Sequence, residues 1–397
     1  MGESDTKIYA KVFALRLAKT LPSVINSNQT AYVNGRFIGE GLKTIEGIIE
    51  YVKQRNIEGY LLSIDFEKAF DSIDFEFLWA TLKAFGYPDE FIQKIRIFYQ
   101  DIQTKVINGG TTTDFFTMCR GVMQGFPPAG FLFVLAIEML LIRIRADKNI
   151  RGITINNSEI KLNAFADDIT NFLADLPSAE VLLSELEKFG RVSGLNCNVG
   201  KCKIMAISAQ PQQVFSFNSE IIEWVKEMLI TGINFTLNPD TYLETNYKEV
   251  VEKLRTKLQI WQSRDLSLLG KIQVLKSVGI SQLQLVMNMV EPSAKIFMEI
   301  SSIFRKFLWG NDNSKVKINT IIAKYEDGGL KMPDIFTIHQ TQRVKWVQRF
   351  LTASDHSWKH ICNWQLQDIG GSRIFQNTAI NTESIDQMNM LVFFIKV

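Results

Sequence analysis

The chain has 397 residues, of which 46% are hydrophobic and 22% are charged. A chain of this length and composition can bury a large core, which excludes disordered, collagenous and low-complexity proteins. The 44 Lys and Arg residues nearly balance the 42 Asp and Glu residues, so the formal net charge is only +2. Global charge alone therefore gives no indication of nucleic-acid binding.

The four cysteines and three histidines are too few and too irregularly spaced to predict a disulfide framework or a zinc site. We therefore expect a reducing, intracellular compartment. The N-terminus lacks the basic and apolar regions of a signal peptide. The most apolar stretch, residues 130–145, is too short before its arginines, Arg143 and Arg145, to span a membrane and contains Glu138, so it predicts a buried core helix.

The first hundred residues predict helices around one strand. Apolar residues recur at helical spacing over residues 7–17, and Pro22 marks the predicted end of that helix. A second helical pattern over residues 42–52 leads into the apolar strand YLLSIDF, which ends at Asp65. Residues 74–104 predict a helical hairpin interrupted at the sequence GYPD, residues 86–89.

The next segment predicts hairpins alternating with a helix. The sequence NGG at residues 108–110 has β-rich flanks, which favours a hairpin, and a helix is predicted from Phe131. Residues 152–175 predict strands separated by an Asn-Asn turn, with a second turn at the sequence ADD, residues 166–168. Antiparallel strands mixed with helices in this order indicate the α+β class.

Beyond about residue 236 long helical patterns predict a second domain, with the sequence NPD at residues 238–240 as the boundary loop. Basic residues between Asn246 and Arg349 outnumber acidic ones by about eight, and Trp261, Trp309 and Trp346 lie among them. This asymmetry favours a domain that binds a phosphate backbone. An ordinary solvated helical surface with core tryptophans is the alternative.

Three aspartates carry the clearest chemical signal. Asp65 ends an apolar strand, and Asp167 and Asp168 lie at a predicted hairpin turn. Carboxylates at strand ends suit Mg²⁺, and two such ions about 3.5–4 Å apart can activate a hydroxyl and stabilise a leaving oxygen in phosphoryl chemistry. Adjacent aspartates also occur by chance, so the motifs around them decide the interpretation.

Those motifs resemble a reverse transcriptase, specifically the LINE-type enzymes of non-LTR retrotransposons. In chain order the main ones are DFEKAFD at residues 65–71, RGVMQGFP at 120–127, FADD at 165–168, and SGL at 193–195 followed by Asn198 and Lys201. The resemblance continues upstream and downstream with QTAY at 29–32, GR at 35–36, TGI at 231–233, FLWG at 307–310 and GGL at 328–330. It covers most of residues 7–350.

This resemblance implies a right-hand polymerase with an antiparallel-sheet palm, partial fingers and a helical thumb. We expect partial fingers over residues 1–60, the palm over 61–235, the thumb over 236–310, and a helical C-terminal extension over 311–397 that is incomplete. The reaction implied is RNA-directed DNA synthesis. Its partners would be an RNA template, a DNA primer and dNTPs, and it would act in the cytoplasm and the nucleus.

The same resemblance implies roles for individual residues. Asp65, Asp167 and Asp168 match the ligands of two Mg²⁺ ions, for which Mn²⁺ could substitute, and Lys201 matches a lysine that protonates the leaving pyrophosphate. Other residues match positions around the nucleotide and the primer. These are Phe66, Phe70, Gln124 and Gly125 for the nucleotide, with Phe70 excluding a 2′-hydroxyl, and Thr231, Gly232 and Ile233 for the primer grip.

Departures from the family pattern keep a second hypothesis open. The family has an arginine-containing segment before the first helix, which would precede Met1, so we expect the chain to be N-terminally truncated. The usual DPLSP of the second motif reads FPPAG at residues 126–130, and Cys202 replaces a usual Thr or Ser. The alternative function is therefore a degenerate, non-catalytic remnant that binds nucleic acid, and a helical scaffold for protein partners is a third possibility.

Overall fold

In the computed structural model, residues 4–208, 214–310, 315–352, 356–367 and 371 are described. The chain divides into two compact units. One comprises Met1–Lys226 with His356–His360, and the other comprises Glu227–Asp355 with Ile361–Val397. Within the described ranges, no helix is both long enough and apolar enough to cross a membrane.

The described residues up to Lys226 form seven α-helices and thirteen short strands. The helices are α1 (Ser4–Val24), α2 (Ile38–Arg55), α3 (Ala69–Ser72), α4 (Phe75–Ala84), α5 (Asp89–Ile97), α6 (Ala129–Ala146) and α7 (Leu176–Ser193). The strands are β1 (Tyr60–Ile64), β2 (Gln103–Thr104), β3 (Ile107–Asn108), β4 (Thr111–Thr112), β5 (Phe116–Thr117), β6 (Ile153–Ile155), β7 (Ser158–Ile160), β8 (Leu162–Phe165), β9 (Asp168–Leu173), β10 (Lys203–Ala206), β11 (Ser216–Phe217), β12 (Glu220–Ile221) and β13 (Glu223–Trp224).

A five-stranded sheet lies at the centre of this first unit. Its strand order is β13-β10-β1-β9-β8, and β1 pairs antiparallel with both β9 and β10. Strand β8 is antiparallel to β9, whereas β13 runs parallel to β10. The predicted α+β class with an antiparallel sheet is therefore confirmed.

Helix α6 lies in the apolar core, in the same cluster of buried residues as the central sheet. Its residues from Leu132 to Ile137 are fully buried, because the helix is apolar on every face. Glu138 is also buried, but it forms an ion pair with Arg145 and accepts a hydrogen bond from the Asn26 amide at 3.3 Å. The prediction of a buried core helix with an internal acidic residue is confirmed.

Turn residues explain the hairpins that the sequence predicts. Asn156 and Asn157 join β6 to β7 with positive φ angles of 49° and 66°, a conformation that asparagine tolerates better than most residues. Gly109 and Gly110 play the same part between β3 and β4. One boundary differs, because α1 continues past Pro22 to Val24. Proline in the last turn removes only one backbone hydrogen bond, so it does not end the helix at once.

The second unit begins with a hairpin and continues as helices. Its strands are β14 (Glu227–Ile230) and β15 (Ile233–Thr236), and the described helices that follow are α8 (Pro239–Gln262), α9 (Leu268–Val274), α10 (Ile280–Met289), α11 (Ala294–Trp309), α12 (Ile318–Ile322) and α13 (Ile335–Leu351). The last described helix, α14 (Ser357–Gln367), begins in the first unit and continues in the second from Ile361. Trp346 is buried and donates to the Asn288 carbonyl at 3.2 Å, whereas Trp261 is exposed.

Residues 238–240, predicted as a boundary loop, instead begin helix α8. Asn238 is the N-cap of α8, where its side chain accepts a hydrogen bond from the Asp240 amide at 3.0 Å, and Pro239 is the first helical residue. Asparagine, proline and an acidic residue in this order begin a helix well. The division between the two units instead falls before β14. The names fingers, palm and thumb remain predictions, and residues 368–370 and 372–397 of the predicted extension lie outside the described residues.

Candidate active site

Antiparallel pairing gathers the predicted catalytic residues at one edge of the central sheet. Strand β1 ends where β9 and β10 begin, because both neighbours run in the opposite direction. Asp65 follows the last residue of β1, Asp168 is the first residue of β9, and Lys201 comes just before β10. Asp167 occupies the turn between β8 and β9. Four side chains from distant parts of the sequence thus come from adjoining strand ends.

Direct contacts fix the position of Asp65 and Lys201. The Lys201 Nζ lies 3.9 Å from the Asp65 Oδ2, and the Asn198 amide donates to the Asp65 carbonyl at 2.8 Å. Both side chains keep access to solvent, with exposed fractions of 71% for Lys201 and 45% for Asp65. This ion pair contributes little to stability because it is exposed. Its two charges remain available to a ligand.

The neighbouring aspartates repel one another. Partial removal from water raises the pKa of Asp167, and the Asp65 carboxylate raises it further. The pKa of Asp168 is raised by the same desolvation and by the charges of Asp167 and Asp65. A carboxylate whose neighbours are also negative gains most from a bound cation. The electrostatics of this edge therefore favour a divalent metal ion.

The donor set fits Mg²⁺ held jointly with a substrate. In the described ranges, no group of three or more His, Cys, Asp and Glu side chains forms a ready-made metal cage. Mg²⁺ is usually held by one or two carboxylates together with water and phosphate oxygens, and seldom by protein ligands alone. Asp65, Asp167 and Asp168 supply hard oxygen ligands of this kind.

The repulsion predicts a stability change in the metal-free chain. A raised carboxyl pKa in the folded state means that folding is favoured at low pH and loses free energy as pH rises through that pKa. We expect Asp167→Asn to raise the free energy of unfolding near neutral pH when EDTA is present, with the gain fading toward acidic pH. Urea denaturation from pH 8 down to about pH 4, near the ordinary pKa of an aspartate, measures this, and a less stable variant at pH 7 would contradict it.

A pocket lined in part by Phe70, five residues after Asp65, is suited to a small ligand. Its volume is about 400 Å³, within the usual range of about 300–1,000 Å³ for ligand sites. Aromatic rings and exposed backbone form its walls. The lining residues are Tyr32, Phe70, Gln124, Gly125, Phe126, Pro127, Ala129, Gly130 and Phe131.

The aromatic rings of the pocket wall contact one another and helix α6. The ring of Phe70 stacks on Phe133 of α6 at 4.1 Å between centroids, and Tyr32 meets Phe70 edge-on at 6.5 Å. Tyr32 approaches α6 closely because residue 130 is glycine, where an added Cβ would lie 2.4 Å from the Tyr32 ring. The FPPAG segment therefore forms a pocket wall and the start of α6.

Backbone hydrogen bonds join three of the family motifs. The Val122 amide donates to the Phe70 carbonyl at 2.7 Å, and the Asp74 amide donates to the Ser193 carbonyl at 2.8 Å. Gly194 follows with a φ angle of 79°, and an added Cβ there would lie 2.3 Å from the Ser72 carbonyl oxygen. The segment after Asp65 is thus held between the second motif and the SGL motif.

The remaining predicted residues lie elsewhere. Phe66 is buried in the core, and its backbone forms an isolated antiparallel β-bridge with Cys197. It does not line the pocket. The predicted primer grip lies in the second unit. Thr231 and Gly232 form the turn between β14 and β15 with φ angles of 42° and 90°, and Ile233 is buried.

Sequence reasoning missed the part played by residues 29–36. The QTAY motif was noted for its resemblance, but no role was assigned to Tyr32, which lines the pocket, or to Gln29, which is fully buried. The neighbours of Gln29 in the sequence, Asn28 and Thr30, are polar, so no local pattern indicates that its side chain is buried or shows its partner.

An antiparallel sheet packed with helices, with three aspartates at adjoining strand ends, agrees with the arrangement expected for a right-hand polymerase. Residues 2–236 match the family model described as reverse transcriptase (RNA-dependent DNA polymerase). This match covers more than half of the chain, so the chain belongs to the reverse transcriptase family.

Proteins of transposable elements are among its relatives. The chain is 27% identical over 356 residues to the transposon TX1 uncharacterized 149 kDa protein of Xenopus laevis, covering 88% of this chain and 27% of that protein. It is 26% identical over 318 residues to the retrovirus-related Pol polyprotein from the type-2 retrotransposable element R2DM of Drosophila melanogaster, covering 76% of this chain and 28% of that protein. These relatives confirm the resemblance to LINE-type reverse transcriptases. The chain spans about a quarter of the length of either relative.

One solved structure extends over nearly the whole chain. Apo telomerase from Candida tropicalis has a TM-score of 0.47 and 10% sequence identity, covering 98% of this chain and 61% of that one.

Proposed function

We propose that this chain is an active RNA-directed DNA polymerase that adds dNTPs to a DNA primer on an RNA template. The observation that carries the proposal is the meeting of Asp65, Asp167, Asp168 and Lys201 at one edge of the sheet. The repulsion among the three carboxylates supports their use as metal ligands. A scaffold protein would have no need for this concentration of negative charge.

In the proposed reaction, the primer 3′-hydroxyl attacks the α-phosphate of the dNTP and pyrophosphate leaves. Two Mg²⁺ ions, or Mn²⁺ in their place, would supply charge that activates the hydroxyl and neutralises the phosphates. Asp65, Asp167 and Asp168 would hold them. The Lys201 ammonium, close to Asp65, would donate a proton to the departing pyrophosphate.

We assign the dNTP sugar and base to the pocket that Phe70 lines. Gln124 and Gly125 border it, and Gly125 has a φ angle of 77° with open space around its α-carbon, so its backbone can approach a ligand. Phe70 would lie under the sugar. Its stacking on Phe133 prevents the ring from moving aside for a 2′-hydroxyl.

This assignment predicts a change in sugar selection. We expect Phe70→Val to reduce the preference for dTTP over UTP by about tenfold or more, because a smaller side chain leaves room for the 2′-hydroxyl. The ratio of kcat/KM for the two nucleotides measures the effect. Phe126→Val is the matched control, since it replaces another aromatic side chain of the same pocket. It should change kcat/KM for dTTP and UTP by the same factor. Unchanged discrimination in the Phe70 variant would disprove the role.

We further propose that Thr231, Gly232 and Ile233 hold the primer end and that the basic helices after them contact the template–primer duplex. The excess of Lys and Arg between residues 246 and 349 supports this assignment. By family relation, the chain would act inside the cell, in the cytoplasm and the nucleus.

Primer extension tests the proposed function. The purified chain is incubated with oligo(dT) on poly(rA), dTTP and either Mg²⁺ or Mn²⁺, and duplex binding is measured in parallel by gel shift. Extension of the primer is the expected result. Binding without extension under both metals would overturn the proposal and favour the degenerate remnant.

A further inference from the structure

Residue Gln29 makes an unusual set of contacts with the turn that carries the paired aspartates. Its side chain is completely buried. The Oε1 atom accepts a hydrogen bond from the Ala166 amide at 2.9 Å, and the Nε2 atom donates to the Ala166 carbonyl at 3.2 Å. A single side-chain amide therefore pairs with both backbone polar groups of the residue immediately before Asp167.

Ala166 has a strained backbone conformation that these contacts can stabilise. Ala166 is the first residue of a two-residue turn between β8 and β9, and its φ angle is 56°. Two-residue hairpin turns favour glycine at positions with positive φ, because a Cβ is strained there. The backbone groups of Ala166 also lie outside the ladder that ends with the pair Phe165 and Asp168. Gln29 supplies the partners that hold this strained residue in place.

The segment that carries Gln29 is itself firmly held. Its backbone follows β8, with the Thr30 amide donating to the Ala164 carbonyl and the Ala164 amide donating to the Asn28 carbonyl, both at 2.9 Å. The guanidinium of Arg36 donates to the carbonyls of Ile25, Asn26 and Gln29 at 2.5–2.6 Å. These contacts hold the backbone of Gln29 in place, so its side chain can position the turn.

We infer that Gln29 is a positioning residue that sets the direction of the Asp167 and Asp168 carboxylates by locking Ala166 in the left-handed conformation. The inference rests on the proposed function, in which these carboxylates bind metal ions. Gln29 itself has no contact with substrate in this role. It acts through the backbone of the turn.

The test compares Gln29→Met, which keeps the length of the side chain but removes both hydrogen-bonding groups, with Thr30→Val. Thr30 is the matched control because its buried hydroxyl bonds to the Ala164 carbonyl at 3.3 Å in the same hairpin without contacting the turn residue. Hydrogen exchange of the peptide containing Ala166 reports the position of the turn. Mn²⁺ affinity, from the electron paramagnetic resonance signal of the free ion, reports the consequence.

We expect Gln29→Met to speed exchange at Ala166 and weaken Mn²⁺ binding by about tenfold, whereas Thr30→Val changes neither. Adding Ala166→Gly to the Gln29 variant should restore much of the affinity, because glycine adopts positive φ without strain. Wild-type exchange and affinity in Gln29→Met, or no recovery with glycine, would overturn the inference. If wild-type protein extends no primer but exchange changes as expected, the proposed function fails while the positioning of the turn stands.

Discussion

Replacement of Asp167 by asparagine is expected to lower kcat for primer extension by about a thousandfold or more. The substitution keeps the size of the side chain but removes a negative charge from the edge of the sheet, where the proposed function needs a metal ligand. Metal ions contribute several kcal/mol of transition-state stabilisation in phosphoryl transfer, which corresponds to a loss of this size. Steady-state incorporation of dTTP on poly(rA)/oligo(dT) measures it, with KM and kcat determined separately.

Asp89→Asn is the matched control for this experiment. Asp89 lies in the first turn of α5 and is exposed, where its carboxylate is 3.3 Å from Lys83. The change of charge is the same, but the residue has no place in the proposed site, so activity should remain at the wild-type level. Equal activity of the Asp167 variant and this control would remove Asp167 from the catalytic set.

Gly194→Ala is expected to lower the free energy of unfolding by about 3 kcal/mol. An alanine there would be strained at a φ angle of 79°, and its Cβ would lie 2.3 Å from the Ser72 carbonyl oxygen, so the backbone must also shift. The shift would disturb the segment that joins the SGL motif to the chain after Asp65. Denaturant unfolding followed by circular dichroism measures the change.

Gly86→Ala separates the effect of backbone strain from the effect of the close contact with Ser72. Gly86 has a nearly identical φ angle of 82°, but no atom lies within 4 Å of the position of an added Cβ. Only the conformational strain remains, which costs about 1–2 kcal/mol. An equal loss of unfolding free energy in both variants would show that the contact with Ser72 does not contribute to the effect of Gly194→Ala.

Local signals in the sequence were sufficient for much of the fold. The asparagine and glycine turns predicted two hairpins because those residues tolerate positive φ, and the most apolar stretch of the chain predicted buried α6. The sequence also predicted which aspartates end a strand or lie at a turn. These features depend on residues that are close together along the chain.

Features that depend on pairing between segments far apart in the sequence were not predictable from local patterns. Strand β10 has only four residues and was overlooked, although its pairing with β1 brings Lys201 to Asp65. The contact between Gln29 and Ala166 joins the connection between α1 and α2 to the β8–β9 hairpin through a side chain, so no local pattern reveals it. At the start of α8 a loop was predicted where a helix begins, because asparagine, proline and aspartate are common both in loops and at helix N-termini.

The central place of β1 has a consequence for how this chain folds during synthesis. Both neighbours of β1 are made later, β9 only after α3–α6 and β10 after α7 as well. Until then, an apolar strand has two unpaired edges, which are sites for pairing with other chains. Such non-local pairing is slow. A fragment that stops before Ala206 would therefore aggregate more readily than one that includes all three strands.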